Sequence, residues 1–164
     1  TTVTPVPELS EEMATQATSI ALAIAQGINL VGVMAVELFK VGERLIVNEL
    51  ALRPHNSGHW TIEGSTTSQF EQHIRAVLDL PLGDTSLTAT WAVMGNILGG
   101  DKSDMYRPYL HLMARTSNLK FHHYRKDVRP GRKIGHVTLL GEDLVELRNE
   151  VQHALDYLSG AIDE

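Results

Sequence analysis

The chain has 164 residues, enough for one or two domains, and its lack of cysteine excludes a disulfide framework and a thiolate zinc site. Its 14 lysines and arginines against 20 aspartates and glutamates give a formal net charge of −6, which argues against a general nucleic-acid or anionic-membrane surface. Neither a signal peptide nor an apolar run of the roughly 18 residues that a membrane span needs is visible, so we expect a soluble, cytoplasmic protein.

The sequence of the first half of the chain predicts a β-hairpin with one helix before it and one helix after it. Acidic residues directly after Ser10, followed by apolar residues three and four apart, predict a helix that Gly27 caps. Two apolar runs joined by the turn KVGE predict antiparallel strands. We expect helices at about residues 10–26 and 66–80 and strands at residues 30–39 and 44–50.

The second half predicts three strands and a terminal helix, after a stretch at residues 99–118 that is irregular or partly helical. Strands are expected at residues 88–98, 119–126 and 133–141, and the helix at residues 142–160. The helix should turn one apolar face inward, formed by Leu144, Leu147, Val151, Leu155 and Leu158. This order of elements indicates an α+β fold with a boundary near residues 83–87.

The predicted hairpin carries a carboxylate in each strand. Antiparallel pairing through the KVGE turn could bring Glu37 and Glu49 to one face, where the two charges would repel each other. A divalent cation would compensate for that repulsion, and Mg²⁺ favours one or two carboxylates with water and phosphate oxygens completing its octahedron. The alternative is that one glutamate points outward and is solvated.

Polar residues crowd the loop after the second strand. Arg53 offers a planar fork suited to carboxylate, bicarbonate or phosphate, and His55, Asn56 and Ser57 add further polar groups. His55 and His59 could form a metal pair, but a loop with proline and glycine does not hold them on one helical face. Loop histidines are more often hydrogen-bonding or exposed.

A second polar segment, YRKDVRPGRKIGH, joins two predicted strands. It concentrates Arg125, Lys126, Arg129, Arg132 and Lys133 around one turn. The segment is either a solvated turn or a phosphate site where several cations converge on one anion.

Three ordered motifs, AVELF, then VNELALRPHNSGHWTIEGSTTSQFEQHIRAVLDLPLG, then RPGRKIGHVTLLG, closely resemble the ATP-grasp family of 5-(carboxyamino)imidazole ribonucleotide synthases of purine biosynthesis. The resemblance runs from about residue 30 to residue 138. It implies the C-terminal half of an ATP-grasp domain, an antiparallel sheet with helices, at residues 1–84. A small β-rich α+β domain closed by a helix would follow at residues 85–164.

The resemblance also implies roles for individual residues. Glu37 and Glu49 match the glutamates that hold Mg²⁺ on the nucleotide phosphates, and Asn48 lies beside the second of them as a substrate-binding residue. The bicarbonate loop is matched by Arg53, His55 and Asn56. The basic turn that receives the phosphate of 5-aminoimidazole ribonucleotide is matched by Lys126, Arg132 and Lys133.

In the family reaction, ATP phosphorylates bicarbonate, and the amine of 5-aminoimidazole ribonucleotide traps the carboxyphosphate or the CO₂ released from it. The implied cofactors are therefore Mg²⁺ and ATP, and the implied substrates are bicarbonate and the aminoimidazole ribonucleotide. One departure concerns the loop itself, because the family usually has proline where this chain has Leu52.

The family's N-terminal domain and glycine-rich phosphate loop are absent from this sequence. We therefore interpret the chain as the C-terminal part of the ligase, inactive by itself, with the missing N-terminal half as a partner. Two alternatives remain open: a non-catalytic anion- or nucleotide-binding module with the same half-fold, and a protein whose exposed apolar surface drives association. A homodimer is possible in either case, and no nucleic-acid or membrane partner is expected.

Overall fold

The computed structural model describes residues 1–101 and 104–163. They form two compact units. Residues Val6–Thr88 form one, here called the hairpin unit, and Thr1–Pro5 joins the chain from Ala89 onward in the other, here called the sheet unit. The predicted division at residues 84/85 into the family's two domains stays a prediction. Within the described residues, no helix is both long enough and apolar enough to cross a membrane.

The described residues of the sheet unit form four strands and two helices: β1 (Thr2–Thr4), β4 (Trp91–Leu98), α4 (Tyr106–Arg115), β5 (Lys120–His123), β6 (Lys133–Gly141) and α5 (Leu144–Ser159). The strands make one antiparallel sheet in the order β1-β4-β6-β5. The pairing of β1 with β4 was not predicted, because three residues of mixed polarity give no strand signal.

Helix α5 and the central strands enclose the apolar core of the sheet unit. Leu147, Val151 and Leu158 are buried, and Leu144 and Leu155 pack against the same core, so the predicted inward face is confirmed. The helix begins after Asp143, whose carboxylate accepts hydrogen bonds from the backbone N–H groups of residues 145 and 146. Gly95 of β4 allows the close approach, since a Cβ there would lie 2.7 Å from a Leu155 methyl carbon.

The hairpin unit contains an antiparallel β-hairpin and three helices. The predicted hairpin and both predicted helices are confirmed, but the first strand begins at Ala35 and not at residue 30, and the second helix is shorter than predicted. Gly27 is the last residue of the first helix and not its cap, because the Ile28 N–H closes the final turn on the Ile24 and Gln26 carbonyls. The elements are α1 (Glu11–Gly27), β2 (Ala35–Val41), β3 (Arg44–Ala51), α2 (Thr61–Gly64) and α3 (Gln69–Val77).

The stretch at residues 99–118 contains α4, so its partly helical interpretation is confirmed; residues 102 and 103 lie outside the described part of the chain. The α+β class is also confirmed. In the loop after β3, a 3₁₀ turn at Asn56–Gly58 leads directly into α2. Neither of these short elements was predicted, because three or four residues are too few to show apolar periodicity.

Candidate metal and anion sites

The hairpin register places the two strand carboxylates opposite each other. Glu37 of β2 pairs with Glu49 of β3, and the pairing shifts immediately afterwards, where Leu38 faces Val47. Asn48 is therefore the extra residue of a β-bulge. Bulges redirect side chains and are common beside functional sites. Here the Asn48 side-chain amide donates a hydrogen bond of 3.2 Å to Glu37 Oε2.

His55 joins the two carboxylates from the loop after β3. One potential ligand atom from each of Glu37, Glu49 and His55 lies within 4.8 Å of the other two. His55 Nε2 is 3.5 Å from Glu37 Oε1, and the side-chain exposures are 15% for His55 and 39% for Glu37. The structure thus brings together the predicted metal residues and one residue of the predicted bicarbonate loop.

The hydrogen bonds of His55 identify its tautomer. Its Nδ1 accepts a 3.3 Å hydrogen bond from the Ser57 backbone N–H and lies 2.9 Å from the Ser57 hydroxyl. Because a backbone N–H can only donate, Nδ1 of the neutral ring is the acceptor and Nε2 carries the hydrogen. The Nε2–H therefore faces the Glu37 carboxylate, and His55 lies beside the acidic pair as a donor.

This arrangement fits a divalent cation held by carboxylates. Two carboxylates directly across a strand pair destabilise the hairpin unless a cation or proton lies between them. Mg²⁺ takes one or two carboxylates and keeps the rest of its shell for water and phosphate oxygens, which suits a pair at a solvent-accessible face. Glu37 and Glu49 would hold the ion, while the protonated Nε2 keeps His55 outside its ligand set.

The remaining loop residues are placed differently. Arg53 is exposed and donates from Nη1 to the Pro54 carbonyl at 3.0 Å. Asn56 begins the 3₁₀ turn, and its carbonyl accepts from the His59 N–H. The ring of His59 stacks on Phe70 with centroids 5.5 Å apart. Nδ1 of His59 lies 2.9 Å from Gln69 Nε2, whereas His55 is grouped with Glu37 and Glu49 as a potential ligand set.

In the sheet unit, two of the predicted substrate-binding residues share one aromatic ring. The Nζ atoms of Lys126 and Lys133 each lie 5.5 Å from the centroid of Tyr124. Burial, followed by the charge of Lys126, lowers the pKa of Lys133 below its usual value. Two ammonium groups that interact in this way would both gain from a bound anion.

The Tyr124 hydroxyl is anchored on a buried histidine. It lies 2.6 Å from Nδ1 of His136, whose ring stacks on His122 with centroids 4.4 Å apart. Burial raises the pKa of Tyr124, so the phenol stays neutral beside the lysines. An open cavity of about 620 Å³, lined by Lys126, Tyr109, His123 and neighbouring residues, adjoins this cluster.

Arg132 lies in the same turn but has a different partner. Its Nη1 is 3.8 Å from a carboxylate oxygen of Asp127 and donates to the Asp127 carbonyl at 3.4 Å. Asp127 also pairs with Arg129 at 3.4 Å, so this carboxylate partly neutralises the turn. The structure therefore separates Arg132 from the two lysines in its contacts, although all three belong to one turn.

Two residues of the hairpin site were missed by sequence reasoning. Ser57 fixes the His55 ring, and Gln69 of α3 makes three side-chain hydrogen bonds to the loop. A glutamine beside Phe70 on a predicted helix has no sequence signal that distinguishes it from a solvated residue. Ser57 was noted as part of the polar loop, but its role depends on the turn geometry.

Comparisons with known proteins place the chain in a family. Residues 1–70 match the model of the ATP-grasp domain, and residues 92–150 match that of the phosphoribosylaminoimidazole carboxylase C-terminal domain. The N5-carboxyaminoimidazole ribonucleotide synthase of Mycobacterium bovis is 47% identical over 161 residues, which cover 96% of this chain and 38% of the relative. The chain belongs to the N5-carboxyaminoimidazole ribonucleotide synthase family.

Further synthases of this family agree. The Escherichia coli synthase is 40% identical over 163 residues, which cover 95% of this chain and 43% of the relative. The Thermotoga maritima synthetase structure superposes with a TM-score of 0.85 at 36% identity, covering 96% of this chain and 44% of that one. The chain thus spans about two fifths of the length of these synthases. The ATP-grasp fold expected from the sequence is confirmed.

Among the solved synthases, the Aspergillus clavatus enzyme was determined in complex with ADP and 5-aminoimidazole ribonucleotide. It superposes with a TM-score of 0.84 at 32% identity, and the likeness covers 95% of this chain and 43% of the Aspergillus chain. The bound molecules belong to that protein.

Proposed function

We propose that the chain is the part of an N5-carboxyaminoimidazole ribonucleotide synthase that binds Mg²⁺ with the nucleotide phosphates, bicarbonate, and the phosphate of 5-aminoimidazole ribonucleotide. The observation that carries the proposal is the opposition of Glu37 and Glu49 across the bulge, with Asn48 and His55 both on Glu37. The ligase as a whole would use ATP and bicarbonate to carboxylate the substrate amine.

Within the hairpin unit, the carboxylates of Glu37 and Glu49 would hold Mg²⁺, which when bound would supply positive charge near the nucleotide phosphates. Asn48 and His55 each direct an N–H at Glu37 and so fix the carboxylate in one orientation. Arg53, His55 and Asn56 bind bicarbonate, Arg53 through the planar fork that suits a small oxyanion.

Within the sheet unit, Lys126 and Lys133 bind the phosphate of the aminoimidazole ribonucleotide from the face of Tyr124. Arg132 completes this anion site by exchanging its Asp127 partner for the phosphate. Such an exchange is inexpensive, because exposed ion pairs contribute about 0–1 kcal/mol. Cytoplasmic localisation, a homodimer and the absence of ATP turnover by these 164 residues alone are part of the same proposal.

The metal proposal is tested by titrating the chain with Mn²⁺ as a paramagnetic substitute for Mg²⁺. Saturable binding should be lost in both Glu37→Gln and Glu49→Gln. Glu43→Gln is the matched control, because Glu43 is an exposed glutamate in the turn of the same hairpin. Equal binding by all three variants and the unaltered chain would contradict the assignment.

The substrate proposal is tested by calorimetric titration with 5-aminoimidazole ribonucleotide, with inorganic phosphate as the reference ligand. Binding should be tighter than that of phosphate and should weaken in Lys126→Met, Lys133→Met and Arg132→Ala. Arg129→Ala is the control, since Arg129 shares the turn and Asp127 but is assigned no role. Binding that weakens equally in the control would indicate only a general basic surface.

A further inference from the structure

The side chain of Gln69 lies buried against the candidate bicarbonate loop. Its Oε1 accepts from the His55 backbone N–H at 2.9 Å, and its Nε2 donates to the His55 carbonyl at 2.8 Å. The same Nε2 lies 2.9 Å from Nδ1 of His59. Both amide hydrogens therefore have acceptors, and the oxygen has a donor. Because the His55 N–H can only donate and its carbonyl can only accept, these partners determine which way the amide points.

The amide is itself held tightly by the turn beneath it. The Gln69 backbone N–H donates to Thr61 Oγ1 at 2.9 Å, and the Thr61 hydroxyl donates to the Gly58 carbonyl at 2.6 Å. A Cβ at position 58 would lie 2.5 Å from Gln69 Oε1, so a larger residue there would displace the amide or the turn. Gln69 is 8% exposed.

Gln69 reaches the acidic pair only through His55. Its hydrogen bonds hold the His55 backbone on both sides, while Ser57 holds the His55 ring at Nδ1. With backbone and ring both fixed, Nε2–H is directed at Glu37, 3.5 Å away. The site geometry at Glu37 therefore depends on an amide that belongs to a different element, α3.

We propose that Gln69 is a positioning residue that keeps His55 in the Nε2–H tautomer facing Glu37, and thereby sets the divalent-cation affinity of the Glu37–Glu49 pair. The positioning of His55 stands on the hydrogen bonds alone. The effect on cation affinity rests in addition on the proposed metal function. Residues that orient a metal site from outside its ligand set typically change metal affinity by about 10–100-fold when substituted.

The chain contains a matched control for this role. Gln72, three residues along the same helix, makes the same pair of bonds to Gly83: Nε2 donates to the carbonyl at 2.6 Å, and Oε1 accepts from the N–H at 2.9 Å. Gln69→Met and Gln72→Met each remove two such backbone bonds and keep a side chain of similar length that adapts to its surroundings. They differ in which loop is released, and Gln69→Met also removes the contact with Nδ1 of His59.

The deciding measurement is the ¹⁵N spectrum of the histidine side chains at a pH where the imidazoles are neutral. His55→Gln identifies the His55 signals. Nδ1 of His55 should give an acceptor-type shift in the unaltered chain and in Gln72→Met, and an averaged shift from two tautomers in Gln69→Met. Unchanged His55 shifts in Gln69→Met would overturn the proposal. If Gln69→Met fails to fold, Gln69→Glu and Gln72→Glu serve instead, because a carboxylate accepts but cannot donate to the carbonyl.

Titration with Mn²⁺ supplies the second readout. Gln69→Met should bind the ion at least about tenfold more weakly than the unaltered chain, and Gln72→Met should bind it equally well. Equal affinity in Gln69→Met would overturn the link to the cation. If the unaltered chain binds no Mn²⁺ while the tautomer change occurs as expected, the proposed metal function fails and the positioning of His55 by Gln69 stands.

Discussion

The two units of this chain are stabilised in different ways. In the sheet unit, a continuous cluster of buried apolar side chains lies among β4, β6, α4 and α5. In the described part of the hairpin unit, the buried apolar side chains are Met13 and Ala51, and buried polar ones are Ser65, Thr67 and Gln69. The hairpin unit therefore depends more than the sheet unit on hydrogen bonds from side chains to the backbone, such as those from Gln69 and Gln72.

The apolar face of α3 shows the same difference. Ile74, Val77 and Leu78 recur three and four residues apart, at the spacing of one helix face, yet they are 54%, 46% and 62% exposed. In α5, by contrast, Leu147, Val151 and Leu158 are buried and Leu144 and Leu155 are partly buried. Hydrogen bonds that specify direction hold the candidate cation site, whereas apolar burial supplies most of the folding free energy in the sheet unit. Geometry and stability therefore depend on different parts of the chain.

The largest expected effect is the loss of a core side chain in the sheet unit. Ile134→Ala should lower its free energy of unfolding by about 2–5 kcal/mol, because Ile134 is fully buried and its truncation leaves a cavity. Ile74→Ala in the hairpin unit should change stability by no more than about 0.5 kcal/mol. Denaturant unfolding followed by Trp91 and Trp60, one tryptophan in each unit, measures the two effects. Equal costs would remove the distinction between the units.

The second effect is stabilisation of the hairpin unit by a divalent cation. At a concentration 100 times its dissociation constant, Mg²⁺ should raise the free energy of unfolding by about 2.7 kcal/mol, since it binds only the folded carboxylate pair. Denaturant titration followed by Trp60 should show this gain and its loss in Glu37→Gln. The Trp91 transition should not move, and a shift there would mean that the ion acts outside the hairpin.

A smaller effect of opposite sign is expected without the ion. Glu49→Gln should stabilise the metal-free hairpin unit by about 0.5 kcal/mol, because it removes the charge directly opposite Glu37. Glu43→Gln in the turn also removes one negative charge. Comparing the two variants therefore separates the repulsion within the Glu37–Glu49 pair from the effect of the chain's net negative charge. A loss of stability in Glu49→Gln would show that the two carboxylates do not repel each other in the folded protein.

The smallest effect concerns the pH dependence of the sheet unit. The pKa of Lys133 is lowered by burial and by Lys126, so between that value and 10.5 the unfolded chain binds more protons than the folded one. Stability should therefore rise with pH through this window. Lys126→Met should raise the pKa of Lys133 and flatten the rise, measured by NMR titration of the lysine side chains. Lys120→Met, an exposed substitution in β5, should leave it unchanged.

Periodicity predicted the elements with long, regular patterns. α5 and β6 have the expected positions, because their apolar residues recur at the spacing of a buried element, whereas β2 begins five residues later than expected. Strand β1 could not be predicted, since three residues acquire strand geometry only by pairing with a partner some ninety residues away. The exposed face of α3 was equally inaccessible to sequence reasoning, because an apolar pattern specifies which residues share a face and not what covers it.

The residue types of the candidate site could be predicted from the sequence, but the hydrogen bonds and ion pairs among them could not. Opposition of Glu37 and Glu49 follows from the hairpin, and the structure confirms that they share one face. The side-chain contact of Asn48, the tautomer of His55 and the orientation of the Gln69 amide depend on individual hydrogen bonds, which residue types and spacing do not predict. The family resemblance grouped Arg132 with Lys126 and Lys133, and the contact of Arg132 with Asp127 could not be predicted from it.

The bulge has a consequence for how this hairpin tolerates changes in length. Seven residues of β2 lie against eight of β3, and Asn48 is the unmatched one. Deleting Asn48 would restore an uninterrupted ladder in which Glu49 still faces Glu37, so only the amide would be lost. Deleting one residue from the part of β3 before Asn48 would instead turn side chains in that part of the strand to the opposite face of the hairpin. Position 48 is therefore where a single-codon deletion leaves the acidic pair in place.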